Sequence, residues 1–571
     1  MDKQVNILID QLKNKKNTFF VGAGISVNSG IPSANQIKNS ILTNLPLQTD
    51  HLELIEKNKI PFELFMECLI ENAGNDSLVD LFEGGKPNVN HVLLANLCKQ
   101  GIIHNIITTN FDNLLELALD EAVVEYNLVY NETDFANILW DSPRVNLIKI
   151  HGSIHDKKRL AITLKKVSSK ELIHQRNQVI EKIFSKEVSD TIAFMGYSCS
   201  DIFDINPTVR RSVNSLISII YLQHRPNLED PIEVLPLSNS HTPDLFSGFD
   251  GHLIRCHTDI FTPEVWNHFL SRPAPAISFV RPGHQIIINK WFNDILFSKG
   301  EGFPFYLAGQ LLITVTQFSL AIPYFQKGLV ISDSLANNDL SVDYLYSIGR
   351  AYQSTQKTDI SAEKSIGFLE AALAKSLNST QKRKQAIILL SLGIAYEDKS
   401  QHAIALDKYY QSYLLSLEIN DALLVSKCYG NMAIVLKNIA IETQDASYLF
   451  PVSLIFQNLS LEIAISEGDK RSEGRIYGNI ASILSKQNKL TEAISYSEKA
   501  LGVACELSDV YHEGIWRHNL GEDYITINPE KAEAYLLEAQ KIFKREGWEN
   551  FLTTCHQTLS RLYEQPFYKK G

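Results

Sequence analysis

Cysteine is sparse in this 571-residue chain, and the spacing of its seven cysteines excludes two kinds of site. No two of them form a Cys-x-x-Cys pair, so we expect neither a zinc ribbon nor a compact disulfide framework. Scattered thiols in a large chain are typical of a reducing compartment, which indicates a cytoplasmic protein. The cysteines are Cys68, Cys98, Cys199, Cys256, Cys428, Cys505 and Cys555.

Long apolar runs and an excess of positive charge are lacking as well. The sequence has no run of about 18 uncharged apolar residues, and residues 1–17 lack the apolar core of a signal peptide. We therefore expect a soluble protein with no membrane partner. The formal net charge is −11, whereas non-specific nucleic-acid binding depends on clustered Lys and Arg, so we expect no nucleic-acid partner either.

The chain is long enough for several domains, and its two halves follow different periodicities. In residues 1–270, short apolar runs alternate with helical stretches, which predicts an α/β fold with a doubly wound parallel sheet. Such sheets bind ligands at the carboxyl ends of their strands. Strands are expected at 18–22, 102–108, 146–150, 191–196, 218–222 and 251–256.

Residues 271–300 contain several prolines, and we expect a linker there. Over 301–571, a helix with a small-residue anchor recurs, followed by a second amphipathic helix. This pattern predicts an all-α solenoid resembling tetratricopeptide repeats, lengthened beyond their usual step of about 34 residues. An irregular helical domain is the alternative. The anchor glycines, 37 to 48 residues apart, are Gly309, Gly349, Gly393, Gly430, Gly478 and Gly521.

The first candidate site follows the strand at 18–22. Gly22, Ala23 and Gly24 lead into a helix, where glycine lets the backbone approach a phosphate with no Cβ in between, and Ser26 adds a hydroxyl. The third glycine of the ordinary dinucleotide fingerprint is missing, because Val27 stands there. A tight turn from strand to helix, with no ligand, is the alternative interpretation.

The second candidate site, Thr109, Asn110 and Asp112, directly follows the strand at 102–108. An Asn and an Asp at a strand end can hydrogen-bond a ribose and hold an attacking water. The alternative is structural, because Asn and Asp are also the residues that cap the start of a helix, and a helix is expected at 113–118.

The third and fourth candidate sites also follow predicted strands. His151, with Gly152 behind it, is placed to act as a general base near neutral pH, although a lone His is more often a hydrogen-bonded structural residue. Gly196 and Ser198 supply another strand end with a glycine and a hydroxyl.

In this order, the four motifs resemble those of the sirtuin family, and the resemblance covers residues 5–270. One position departs from the family pattern, because Thr109 replaces the usual Gln. The matching stretches are GAGIS-x-x-SGIP at 22–32, TTNFD at 108–112, HG at 151–152, GYS at 196–198 and a final strand with an acid at 254–259.

The resemblance implies a doubly wound sirtuin-like fold that binds NAD as a substrate and cleaves its nicotinamide–ribose bond. It implies that His151, Asn110 and Asp112 are catalytic, with His151 acting as the base on a ribose hydroxyl or on water. Asn110 and Asp112 would line the nicotinamide pocket, and Ser198 would lie near the adenosine half. The implied NAD contacts are Gly22, Ala23, Gly24, Ser26, Thr109, Asn110, Gly196, Ser198 and Asp259.

The chain also departs from the protein-deacylating members of that family. They carry a four-cysteine zinc module between the HG and GYS motifs, whereas residues 152–195 contain no cysteine, so we expect no zinc or other metal. Residues 33–35 also lack the acidic-aromatic-Arg continuation of the family. These differences count against deacylation, and they leave water as the expected acceptor, with ADP-ribose and nicotinamide as products.

Zinc-free sirtuin-like domains joined to large sensor regions resemble effectors of bacterial anti-phage defence, in which NAD depletion causes abortive infection. This resemblance implies an NAD hydrolase that the repeats gate. The expected partners of the repeats are a protein or peptide trigger, such as a phage protein, and further copies in a homo-oligomer. One alternative is a protein deacylase or ADP-ribosyltransferase. Another is a non-catalytic sensor of NAD or ADP-ribose.

Overall fold

The computed structural model describes residues 12–565 apart from a set of short gaps. The chain divides into two compact units, Met1–Thr316 and Gln317–Gly571. The gaps are 14, 27, 59, 168–169, 200–204, 213–215, 226, 228, 239–242, 247, 271–273, 275–279, 281–282, 356–357, 378–380, 444–446, 508 and 547.

Within the described residues, the first unit forms one eight-stranded sheet with the order β3-β4-β2-β1-β5-β6-β8-β7. All neighbouring pairs are parallel except β7 and β8, which are antiparallel. The predicted doubly wound α/β fold is therefore confirmed. The strands are β1 Asn17–Val21, β2 Ile103–Thr108, β3 Tyr126–Val129, β4 Val145–Lys149, β5 Thr191–Met195, β6 Ser218–His224, β7 Glu233–Pro236 and β8 Asp250–Cys256.

Two hydrophobic cores lie on opposite faces of this sheet, because successive side chains of a strand point in opposite directions. In β1, Phe19 and Val21 pack into one core, and Phe20 packs into the other. Trp266 of the last sheet-covering helix is buried in the first core, and Phe246 is buried in the second. Burial on both faces explains why the central strands are continuous apolar runs.

Helices cover the sheet, and one helix begins within the segment expected to be a linker. Within 271–300, helix His284–Lys299 packs in the first unit: Trp291 is fully buried, and its Nε1 donates to the Asn75 carbonyl at 3.3 Å. The α-helices are Ala34–Leu42, Thr49–Lys57, Phe62–Ala73, Val89–Lys99, Leu114–Glu121, Glu132–Ala136, Leu164–Val167, Lys170–Ile183, Ile205–Arg211, Thr258–Phe269, His284–Lys299 and Phe303–Thr314; the 3₁₀ helices are Ala23–Ser26, Ser77–Phe82, Ile154–Arg159 and Asp244–Phe246.

A row of polar side chains, which we name the amide ladder, crosses four neighbouring strands inside the sheet. Asn127 Nδ2 of β3 donates to Asn146 Oδ1 of β4 at 3.0 Å, and Asn146 Nδ2 donates to Asn105 Oδ1 of β2 at 3.0 Å. Asn105 Nδ2 donates to Thr18 Oγ1 of β1 at 3.4 Å. These residues stand opposite one another in the strand register, so the ladder requires this alignment of the strands.

The six expected strands are all present, and the two strands that the sequence did not reveal lie at the two edges of the sheet. β3 is half-buried over most of its length, and β7 is only four residues long and ends at Pro236. A short edge strand with one solvated side lacks the continuous apolar pattern that marks the central strands.

The second unit, over its described residues, contains helices alone, arranged as successive helix pairs. The predicted all-α repeat region is therefore confirmed. Each anchor glycine from Gly349 to Gly521 lies in the first helix of a pair. The helices are Phe318–Ser334, Asn338–Ser354, Asp359–Ser376, Lys382–Asp398, His402–Glu418, Ala422–Glu442, Leu449–Ser466, Lys470–Lys486, Leu490–Glu506, Val510–Tyr524, Pro529–Glu546 and Glu549–Tyr563.

Helix Leu449–Ser466 is long and apolar enough to cross a membrane by length and composition, with a mean hydropathy of 1.4. In the structure it is a member of a helix pair of the repeat array. Ser453 Oγ donates to the Ala433 carbonyl at 2.6 Å, and Gln457 Nε2 donates to the Gly430 carbonyl at 3.2 Å. Its buried polar side chains thus hydrogen-bond the preceding helix.

Three anchor glycines, Gly349, Gly393 and Gly521, allow the paired helices to approach closely. A Cβ on Gly393 would lie 2.3 Å from Tyr409 Cε1. Tyr409 is fully buried, and its hydroxyl donates to Glu397 Oε2 at 3.1 Å, so the ring has no room to move aside. Gly502, in helix Leu490–Glu506, has no atom within 4 Å of the same position.

We expect Gly393→Ala to lower the free energy of unfolding of the repeat array by about 1–3 kcal/mol, because the new methyl overlaps the Tyr409 ring. Gly502→Ala is the matched control and should raise it by about 0.5–1 kcal/mol, because alanine favours the helix. Urea unfolding followed by circular dichroism measures both. Equal effects of the two substitutions would contradict the packing described here.

A candidate active site at the carboxyl ends of the strands

The four sequence motifs lie at one edge of the sheet, because they follow the carboxyl ends of the parallel strands β1, β2, β4 and β5. The chain passes from β1 outward through β2 and then returns to β5 on the other side of β1. In doubly wound sheets, this reversal of strand order opens the crevice in which ligands bind. The candidate residues therefore surround the position where this fold places a ligand.

The glycine turns after β1 and β5 contact each other backbone to backbone. The Gly22 amide donates to the Met195 carbonyl at 2.9 Å, and the Gly24 amide donates to the Gly196 carbonyl at 2.9 Å. A Cβ on Gly22 would lie 2.5 Å from the Gly196 oxygen, and one on Gly24 would lie 2.8 Å from it. We name this contact the glycine interlock.

The glycine interlock gives Gly22 and Gly24 a structural role besides the predicted one. The sequence predicts glycines here because a phosphate can then come close to the backbone. Their missing Cβ atoms also make room for Gly196, and both backbone amides donate to backbone carbonyls of the neighbouring turn. Gly196 has φ +65°, a backbone conformation that glycine adopts readily. Their contact with NAD stays a prediction.

Ser26 and Asn110, predicted from separate motifs, are in direct contact. Asn110 Nδ2 donates to Ser26 Oγ at 3.2 Å, and both residues are buried. The backbone amide of Asn110 donates to Thr108 Oγ1 at 3.0 Å, and Thr108 Oγ1 donates to the Val21 carbonyl at 2.8 Å. The ends of β1 and β2 thus position Ser26 and Asn110 as one unit.

His91 is a site residue that the sequence interpretation missed. Its Nε2 lies 3.2 Å from Ser26 Oγ, and its Nδ1 lies 2.9 Å from Asn88 Oδ1. Asn88 caps helix Val89–Lys99, and its Nδ2 donates to the Ile25 carbonyl at 2.7 Å. The only signal in the sequence was an Asn followed three residues later by His at a helix start, which predicts a cap and not a ligand site.

Burial lowers the pKa of His91 from its ordinary 6.5 to about 4, while the nearby Asp112 carboxylate opposes this shift. His91 is therefore neutral at physiological pH, and one of its ring nitrogens can accept a hydrogen bond while the other donates. Ser26, Asn110, His91 and Asn88 form a continuous buried chain of hydrogen bonds, which we name the polar chain.

The carbonyl oxygen of the Asn110 side chain has no hydrogen-bond partner among the described residues, although it is buried. A buried acceptor without a donor costs about 1–3 kcal/mol. Such an atom, next to a fixed hydroxyl at the ligand crevice, is suited to accept from the carboxamide or hydroxyl of a bound ligand.

His151 follows β4 on the other side of the Asn110 loop. It is 3% exposed, and its ring centroid lies 6.3 Å from that of Phe111, the residue between Asn110 and Asp112. The His151 carbonyl accepts from the Ala161 amide at 2.9 Å. Gly152 has φ +90°, and a Cβ there would lie 3.1 Å from the Arg159 oxygen, so the turn that carries His151 requires glycine.

The remaining predicted residues occupy several different positions. The carboxylate of Asp112 accepts from the Leu114 backbone amide at 3.1 Å, but the N-cap position of that helix is Asn113 and not Asp112. The Thr109 amide donates to the Val21 carbonyl at 3.3 Å. Ser198, two residues after Gly196, is exposed to solvent. The side chain of Asp259 lies outside the described residues. Over the described parts of the chain, no three His, Cys, Asp or Glu side chains form a metal-binding group.

Comparison with known families identifies the class of both parts of the chain. Residues 104–218 match the family model of the SIR2-like domain, and residues 455–545 match that of the tetratricopeptide repeat. The first match includes the β2 and β4 motifs, with Asn110 and His151. The chain therefore carries a SIR2-like domain together with tetratricopeptide repeats.

Individual relatives fall into two groups. Over 131 residues, the chain is 34% identical to an NAD-dependent protein deacetylase of Clostridium perfringens (strain 13 / Type A), covering 22% of this chain and 50% of that relative. Over 206 residues, it is 28% identical to Defense-associated sirtuin 2 of Bacillus subtilis, covering 35% of this chain and 19% of that relative. The chain thus spans half or less of these relatives.

Solved structures also resemble the chain, at low identity. A Rap protein complexed with Competence and Sporulation Factor is 13% identical, with a TM-score of 0.34, and the match covers 49% of this chain and 84% of that one. The structure of BtubC from P. vanneervenii is 16% identical, with a TM-score of 0.35, and the match covers 40% of this chain and 92% of that one.

The lowered pKa of His91 predicts a pH-dependent contribution to stability. Between pH 6.5 and about 4, the unfolded chain binds a proton at His91 that the folded chain does not bind, so stability falls as the pH falls through this window. His91→Gln removes this effect. The difference in unfolding free energy between wild type and variant should therefore shrink from pH 7 to pH 4.

Urea unfolding at a series of pH values measures this difference. His268→Gln, which replaces an exposed histidine, is the control substitution. A His91→Gln curve that runs parallel to wild type through the acidic range would mean that His91 is not held neutral by burial.

Proposed function

We propose that the SIR2-like unit is an NAD glycohydrolase, which cleaves the nicotinamide–ribose bond and transfers ADP-ribose to water. The products are ADP-ribose and nicotinamide. The proposal rests first on the polar chain at the crevice, and above all on the buried Asn110 Oδ1 that lacks a donor. A nicotinamide carboxamide or a ribose hydroxyl is a donor of the required kind.

The proposed roles follow from the positions of the side chains. Asn110 orients the reactive end of NAD, and the polar chain holds Asn110 in place through Ser26. His151 removes a proton from a ribose hydroxyl or from water as positive charge develops on the ribose carbon. Asp112, buried in the same loop, contributes negative charge that favours an oxocarbenium-like transition state.

Water is proposed as the acceptor because the chain lacks the thiolates of a zinc module. The interval between His151 and Gly196 contains no cysteine, and its described part contains the helices Ile154–Arg159, Leu164–Val167 and Lys170–Ile183 before strand β5. The names of several relatives favour a second candidate, NAD-dependent deacylation of a protein. ADP-ribosylation of a protein is a further outcome of the test described below.

Regulation by the repeat array is part of the proposal. An ungated NAD hydrolase would exhaust the NAD of its own cell, and solenoids present extended surfaces for partners. We propose that a protein or peptide trigger acts through residues 317–571 and that the active form is a cytoplasmic homo-oligomer. The similarity to Defense-associated sirtuin 2 supports a role in defence against phage, in which NAD depletion stops the infected cell.

The test is to incubate the 571-residue protein with NAD, alone and with fractions of phage-infected lysate, and to quantify nicotinamide and ADP-ribose. Asn110→Ala should lower kcat/KM by about 100-fold or more, and His151→Ala by about 100- to 10,000-fold. Asn113→Ala is the matched control, because Asn113 starts the next helix without a side-chain cap and should leave turnover unchanged.

Each alternative has its own outcome in this experiment. NAD that binds but stays intact under all conditions would overturn the hydrolase and favour a sensor. Label from NAD that appears on protein, in place of free ADP-ribose, would favour a transferase. Nicotinamide released only when an acyl-lysine peptide is added would favour a deacylase.

A further inference from the structure

A buried ion pair lies next to the candidate site, and the sequence analysis predicts no role for either of its residues. Lys149 Nζ and Glu116 Oε1 are 2.7 Å apart, and their side chains are 1% and 5% exposed. Lys149 is the last residue of β4, and Glu116 lies in helix Leu114–Glu121. Charged side chains are rarely buried this deeply, so their surroundings indicate a specific role.

The ammonium of Lys149 also donates to two backbone carbonyls. Its Nζ lies 3.3 Å from the Phe111 oxygen and 2.5 Å from the Asp112 oxygen. Lysine has three N–H donors, so the carboxylate of Glu116 and these two carbonyls use all three. All the N–H groups of this ammonium are thus hydrogen-bonded, two to the loop at 111–112 and one to helix Leu114–Glu121.

The two carbonyls belong to the loop that carries Asn110 and Asp112, and Lys149 lies two residues before His151. Lys149 therefore connects β4, which leads to the proposed base His151, with the loop that carries the Asn110 side chain. A second hydrogen bond connects the same two segments, because the Ile154 backbone amide donates to the Phe111 carbonyl at 2.9 Å.

Stability alone does not account for this pair. Removing two charges from water is costly, and well-packed apolar residues of similar volume often serve a core equally well. In addition, Glu116 Oε2 has no hydrogen-bond partner among the described residues, so only one oxygen of the buried carboxylate accepts a hydrogen bond from them. An apolar pair would fill the same space, but it would not hold the carbonyls of Phe111 and Asp112.

We propose that Lys149 is a positioning residue, which fixes the backbone of residues 110–112 relative to His151, and that Glu116 keeps the Lys149 side chain directed at that loop. Lys149 does not touch the substrate in this proposal and acts through Asn110 and Asp112. Its effect on catalysis rests on the proposed hydrolase function, whereas its effect on the loop does not.

The experiment uses the double variant Lys149→Met/Glu116→Met of the 571-residue chain, which replaces the pair with apolar side chains of similar length and leaves neither charge buried without its partner. The control is Arg144→Met/Glu125→Gln, which removes an ion pair whose side chains are 55% and 79% exposed. Two quantities are measured: hydrogen exchange of the amides at 110–114, and kcat and KM for NAD.

We expect the double variant to keep wild-type exchange in β1 and β5 while the amides at 110–114 exchange at least tenfold faster. Its kcat should fall at least tenfold with KM changed less than threefold, because the loop is misplaced while the crevice between β1 and β5 remains. The control pair should match wild type in both measurements.

Unchanged exchange at 110–114 in the folded double variant would overturn the positioning role, whatever the activity. Faster exchange with unchanged kcat would restrict Lys149 to a structural role and overturn its catalytic relevance. If the wild type releases no nicotinamide under any condition, the hydrolase proposal fails, and the exchange measurement still decides whether Lys149 positions the loop. If the double variant does not fold, Lys149→Gln with Glu116→Gln provides a neutral polar pair for the same measurements.

Discussion

At the ends of β1 and β5, two turns of the chain meet backbone to backbone with no side chain between them. Any Cβ on Gly22 or Gly24 would overlap the Gly196 carbonyl, so the two strands can end side by side only if these residues are glycine. Ser26 follows directly from this contact and receives its hydrogen bond from Asn110 there. The position of the whole polar chain therefore depends on a packing constraint between two turns.

Much of this arrangement could be predicted from the sequence, because the central strands are apolar on both faces and each is followed by a distinctive motif. Ser26 and Asn110 meet because β1 and β2 are neighbours, which the doubly wound order makes natural. His91 could not be predicted in this way, since it approaches from a helix and its spacing to Asn88 indicated only a cap. Lys149 was hidden too, because a lysine at the end of a strand is usually exposed.

The repeat array was predictable for a different reason. Its helices contact mainly their neighbours along the chain. Each repeat therefore needs its own small residue and its own large residue, and both recur in the sequence at a regular spacing. Gly393 and Tyr409 are one such pair, seen in the structure as a ring packed on a helix backbone. What this regularity does not encode is the partner, because surface residues of a solenoid are free to differ from repeat to repeat.

The amide ladder has a consequence for how the sheet assembles. In a sheet bound by apolar contacts alone, neighbouring strands that slide by two residues still present apolar side chains to the same face, and the error is cheap. Here such a slide would separate Asn105 from Asn146 and leave amides buried without partners, each at a cost of about 1–3 kcal/mol. The amide ladder thus makes misaligned pairing of these four strands energetically unfavourable. The correct alignment brings the strand ends that carry Asn110 and His151 level with each other.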